Sequence, residues 1–117
     1  RAAFGQMKKQ GGGMIINMSS VAGVQAWSGT GTYSASKHAI MALTKSLADE
    51  GRAYRIKVSA LCPGGVADEL VDATPEARAA SEKIDPFDIA EAALYLACLG
   101  PQAVVHQLVV DRLGADW

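Results

Sequence analysis

A chain of 117 residues is long enough to bury one core and falls in the common size range of a single domain. Half of its residues are hydrophobic and a fifth charged, a globular composition; eleven Lys and Arg against twelve Asp and Glu leave a formal net charge of −1. That balance speaks against a nucleic-acid binder and a polybasic membrane contact, and no apolar run approaches the roughly 18 to 20 residues that span a bilayer.

Ala2 to Lys9 reads as the end of a helix, stopped at Gly11-Gly12-Gly13, where glycine tolerates positive φ. Met14-Ile15-Ile16-Asn17-Met18 is a short apolar run between Gly-rich and Ser-rich turns, the pattern of a buried strand. A loop from Ser19 to about Gly31 leads into a helix from Tyr33 to about Arg52, on which Ile40, Leu43 and Leu47 recur at spacings of three and four. That apolar face suits either the sheet or a second subunit. Ile56 to Leu61 is a second strand, closed by Cys62-Pro63-Gly64. Thr74-Pro75-Glu76 and Asp85-Pro86-Phe87-Asp88 both read as helix starts, with a capping side chain and proline at the first helical position. The second helix continues through Ile89, Ala92, Ala93, Leu96 and Ala97 to about Leu99, and Gly100-Pro101 ends it. Leu108-Val109-Val110 is the core of a third strand. Helices alternating with strands predict an α/β fold of about three parallel strands with crossover helices, covered on both faces. Three strands are few for such a sheet. Arg1 in first place, with no hydrophobic signal segment after it, fits a chain that lacks an upstream part and is not secreted.

The two cysteines, Cys62 and Cys98, form no CxxC and are expected as small buried side chains in a reducing compartment. His38 and His106 are isolated, so no metal site is expected. Asp68-Glu69 has no second acidic cluster and reads as a solvated loop. Gly11-Gly12-Gly13 precedes a strand, and neither it nor Gly29-Thr30-Gly31 completes GxGxxG between strand and helix, so both read as turns. No GxSxG supports a serine hydrolase.

The chemistry lies in Asn17-Met18-Ser19-Ser20-Val21-Ala22-Gly23, followed by Tyr33-Ser34-Ala35-Ser36-Lys37. Residues 33 and 37 lie one helical turn apart on one face. A free tyrosine has a pKa of about 10, and a nearby ammonium favours the phenolate, so such a pair can give and take a proton. Ser20, on the loop after the strand, is placed to hold a substrate oxygen, and the carboxyl ends of strands are where open α/β sheets bind ligands.

These segments, with Val58-Ser59-Ala60-Leu61-Cys62-Pro63-Gly64, resemble the C-terminal part of a short-chain dehydrogenase/reductase: the strand-end serine segment, the YxxxK signature and the strand ending in Pro-Gly, in that order. The resemblance implies a Rossmann-like, doubly wound parallel sheet. Residues 1–117 would be the C-terminal catalytic part of one domain, with the Gly-rich cofactor-binding part and the upstream Asn of the tetrad absent. It further implies hydride transfer between NAD(H) or NADP(H) and a small alcohol or carbonyl substrate. Tyr33 would be the acid/base, Ser20 would polarise the substrate oxygen, and Lys37 would assist Tyr33 and hydrogen-bond the nicotinamide ribose. Pro63, Gly64 and Val66 would line the nicotinamide pocket. Ser20 fits the family spacing to Tyr33 better than Ser19. A cytoplasmic homodimer or homotetramer follows from the same resemblance, and Leu70 and Val71 fall in a segment the family uses as a substrate lid. Trp27 would either touch substrate or pack under its loop.

The sequence departs from the family where Asp68 replaces a frequent Thr, Ser59 an Asn, and Asp111-Arg112-Leu113-Gly114 the usual Asp-Gly-Gly. The rival reading is a catalytically idle protein that keeps the fold as an oligomerisation scaffold. The joint presence of Ser20, Tyr33 and Lys37 argues for the enzyme.

Overall fold

The first helix ends where glycine permits it. Gly11 takes φ 86°, in the left-handed region, and the chain turns at once into a strand. The computed structural model describes residues 1–70 and 72–115. In chain order it comprises α1 (Ala2–Gln10), β1 (Gly13–Met18), α2 (Gly31–Gly51), β2 (Ile56–Pro63), α3 (Pro75–Ala79), α4 (Pro86–Cys98) and β3 (Gln107–Val110). The strands form a parallel sheet in the order β1-β2-β3, with Asn17 opposite Ala60, Met18 opposite Leu61, and Leu61 opposite Leu108. The α/β expectation of three parallel strands joined by crossover helices is met.

Strand alternation decides which helix covers which face. Met14, Ile16, Leu61, Leu108 and Val110 pack with Ile84, Ile89 and Leu96, a core under α4. Asn17 and Cys62 point the other way, to Thr44 and Met41 of α2. The central strand β2 is buried along its length apart from Lys57, which is partly covered. Lys57 Nζ donates to the carbonyls of Leu99 (2.8 Å) and Gly100 (3.1 Å), placing a cation at the C-terminal end of α4. Leu61 and Leu96 are fully buried; truncating either to alanine costs about 2–5 kcal/mol.

Several boundaries and burials differ from expectation. α2 starts at Gly31, because the Ser34 N–H already bonds the Thr30 carbonyl (2.7 Å). β2 runs on to Pro63, since β3 pairs with it as far as Val110. Cys98 is exposed. Leu96 occupies the inward position, and two residues further along a helix is the opposite side. Leu43 is 54 % exposed, so the apolar residues of α2 are not all turned to the sheet; its buried positions are Ser34, Thr44 and Gly51. Small residues there let the helix lie close to the strands.

Candidate active site

The candidate site is built at the carboxyl end of β1. The Ser19 N–H bonds the Leu61 carbonyl (2.8 Å), carrying the ladder one residue past the strand. Ser20 is extended (φ −168°, ψ 164°), and its Oγ accepts the Ala22 N–H (3.1 Å), which starts a 3₁₀ turn over Val21–Gly23. An accepting bond of this kind orients the hydroxyl and leaves its proton available to a substrate oxygen.

The turn is fastened to α2. Ser19 Oγ donates to the Lys37 carbonyl (3.0 Å). Gly23 lies against that bond: a Cβ there would strike Ser19 Oγ and sit 3.0 Å from the Lys37 oxygen. Ser20 is thereby held on the part of α2 that carries Lys37. Tyr33, one turn earlier, is 52 % exposed, and Lys37 Nζ lies 5.5 Å from the centre of its ring. Ser20, Tyr33 and Lys37 therefore converge on one end of the sheet.

Pro63 and Gly64 end the neighbouring strand at the same level, where the Gly64 N–H bonds the Val110 carbonyl (2.8 Å). A side chain at Gly64 would collide with the Asp111 carboxylate, which accepts the Arg112 N–H (2.8 Å). Val66 bridges to Ile84 and packs against the core under α4. Cys62 is buried beside this end. Burial pushes its thiol pKa up, partly offset by the Ser20 backbone N–H. It is a neutral packing group that donates to Met41 Sδ (3.6 Å).

In the loop before α2, Thr30 Oγ1 accepts the Trp27 N–H (3.1 Å) and donates to the Trp27 carbonyl (2.8 Å). The indole is 44 % exposed and is not packed beneath the loop. Leu70 is buried, whereas Val71 lies outside the described residues. Glu69 pairs with Lys83 (3.1 Å); its own backbone N–H and then Lys83 hold its carboxyl below the usual range.

Asn17, Ser19 and Gly23 lie in the segment that the sequence marks, but spacing makes Ser19 only the lesser alternative to Ser20 and assigns no role to Gly23 or to the Asn17–Thr44 pair. The available signal is that residues 17 and 19 point to one side of a strand.

The donor set fits a nicotinamide dinucleotide. An exposed phenol and an ammonium stand at the carboxyl end of a parallel sheet, beside a glycine that leaves the strand end open. The family model for short chain dehydrogenase matches residues 1–79. Acetoacetyl-CoA reductase of Rhizobium meliloti (strain 1021) is 44% identical over 80 residues, which are 68% of this chain and 33% of that protein. The crystal structure of acetoin dehydrogenase YohF from Salmonella typhimurium superposes with a TM-score of 0.78 at 32% identity, over 93% of this chain and 47% of that one. The structure of ElxO with NADP bound gives a TM-score of 0.76 at 28% identity, over 93% and 49%. The chain thus spans a third to a half of the length of these relatives. With its family model matched and its serine, YxxxK and Pro-Gly segments gathered at one sheet end, the chain belongs to the short-chain dehydrogenase family.

Proposed function

We propose that this chain carries the proton-transfer half of an oxidoreductase site, acting on a small carbonyl or alcohol with NAD or NADP as the hydride carrier. One observation carries the reading. The Ser19–Lys37 hydrogen bond seats Ser20, with its hydroxyl proton available, on the helix that presents Tyr33 and Lys37. The nicotinamide, when bound, supplies or accepts the hydride. In reduction Tyr33 gives its phenolic proton to the substrate oxygen, and in oxidation it takes that proton back. Ser20 donates a hydrogen bond to the same oxygen and so opposes the charge that develops on it. Lys37 would hydrogen-bond a ribose hydroxyl, and its ammonium lies 5.5 Å from the centre of the Tyr33 ring. Pro63, Gly64 and Val66 bound the nicotinamide side.

The names of the relatives support this substrate class, a 3-oxoacyl thioester in one and acetoin in the other, and the NADP held by ElxO supports the cofactor. The Gly-rich phosphate-binding unit belongs to an upstream half, with which this chain forms one Rossmann-like domain. The exposed Leu43 side of α2 favours a homodimer or homotetramer of the whole protein. Among the described residues no helix is long and apolar enough to cross a membrane, and we place the protein in the cytoplasm.

Tyr33→Phe, in the protein that joins this chain to its cofactor-binding half, is expected to lower kcat by about 10² to 10⁴. NADPH binding should be nearly unchanged, because Phe keeps the shape and loses only the proton. Turnover close to that of the parent removes Tyr33 from the mechanism.

A further inference from the structure

We infer that Ser19 is a positioning residue: its hydroxyl, bonded to the Lys37 carbonyl, fixes where Ser20 stands along α2 relative to Tyr33 and Lys37. The inference rests on the reading of those three side chains as the reacting groups, and extends it to a residue whose side chain touches none of their functional atoms.

None of the buried residues of α2 has a large apolar side chain: they are Ser34, Thr44 and Gly51. Such a surface permits close approach, but it provides few large knobs to oppose sliding along the axis. Directional bonds do that instead. Asn17 Nδ2 donates to Thr44 Oγ1 (2.9 Å), whose own hydroxyl bonds the Ile40 carbonyl (2.8 Å). Two residues further along the strand direction, Ser19 Oγ donates to the Lys37 carbonyl (3.0 Å). The pairing runs upward on the strand and downward on the helix, as an antiparallel strand and helix require. Two bonds spaced along the axis define a register; either one alone leaves a pivot.

Ser19 is the bond nearer the chemistry. It is buried at 4 % exposure, and it immediately precedes Ser20. Gly23 closes over it with no room for a Cβ, and Met41 Cγ would lie 3.2 Å from such an atom. The turn that holds Ser20 through the Ala22 N–H is thus wrapped around the Ser19–Lys37 bond. Losing the hydroxyl leaves the Asn17–Thr44 bond and the weak Cys62–Met41 contact on this face, and the turn that holds Ser20 loses its direct bond to α2.

The test uses the protein carrying both halves, with acetoacetyl-CoA and acetoin as probe substrates and NADPH titrated by fluorescence to count working sites. Ser19→Ala should lower kcat per bound NADPH about tenfold, short of the 10²-fold that an ångström of misplacement can cost. NADPH affinity should stay within about threefold. Ser19→Thr, which keeps a hydroxyl, should bring kcat back to within about threefold of the parent. Counting per site removes any loss due to unfolded molecules. Ser19→Ala turning over at the parental rate per site overturns the inference, whatever its melting temperature. If Ser19→Ala does not fold, Ser19→Cys replaces it: a thiol is a weak donor, so a reduced rate per site supports the inference and a parental rate refutes it. Tyr33→Phe is run alongside. If that variant is fully active, the assignment of the reacting groups has failed, independently of the Ser19 result.

Discussion

Lys37 enters the proposed site twice, through its carbonyl, which receives Ser19, and through its ammonium, which lies 5.5 Å from the centre of the Tyr33 ring. The two roles separate by mutation, because Lys37→Met keeps the carbonyl and removes the charge. The variant should bind NADPH more weakly and turn over more slowly. Binding and turnover both at the parental level confine Lys37 to a structural role. Residues of this kind differ in how legible they are. The roles proposed for Ser20, Tyr33 and Lys37 run through side chains whose types and spacing are visible in the sequence. Ser19 bonds a backbone carbonyl, and no residue type announces which carbonyl a serine will find. Cys98 was misjudged for a related reason, since composition gives a cysteine's preference for burial and only the helical phase shows which way it points.

At the scale of elements, the helix starts were the most readable feature. Thr74 accepts the Ala77 N–H (3.3 Å) ahead of Pro75, and Asp85 accepts the Phe87 N–H (2.9 Å) ahead of Pro86. Asp85 also pairs through both oxygens with Arg78 (2.7 Å each). Arg78 in turn bonds the Ala73 carbonyl (3.1 Å) and lies 4.7 Å from the centre of the Phe87 ring. One carboxylate therefore joins the end of α3 to the start of α4. Arg78, and then the Phe87 N–H, holds its pKa below the usual value. A depressed folded pKa means that this contribution is present above the unfolded value of about 3.9 and is lost as pH falls through the folded one. Asp85→Asn keeps a good cap but no ion pair, so its acid unfolding should be less steep below about pH 4. Asp85→Ala loses both interactions and should melt lower than Asp85→Asn at neutral pH. Equal melting temperatures for the two would show that the cap contributes nothing. The face of α2 was less legible. Ile40, Leu43 and Leu47 mark an apolar stripe, but periodicity does not say which stripe is covered, and here Ser34, Thr44 and Gly51 are the buried positions.

For the molecule as a whole, the parallel sheet with helices on both faces followed from the alternation of strands and helices in the sequence. Its extent on the β1 side did not. β1 is hydrogen-bonded to β2 alone among the described residues, which leaves its other edge unpaired. An apolar strand with an open edge recruits another chain. The 117-residue polypeptide by itself should therefore self-associate, and should show no saturable binding of NADH or NADPH, because it contains no Gly-rich strand–turn–helix to seat a pyrophosphate. Sedimentation and fluorescence titration of the purified polypeptide test both points, and a monomer that binds either dinucleotide at micromolar concentration contradicts them.

The strand order adds a consequence for assembly during synthesis. Each strand in the sheet pairs with the next one in the chain, and both crossovers close loops of roughly forty to fifty residues, at nearly equal entropic cost. No strand has to wait for a later one to be inserted beside it. Ser20, Tyr33, Lys37 and Pro63 all lie within the first strand–helix–strand unit, so the geometry of the proposed site can be set while α4 and β3 are still leaving the ribosome.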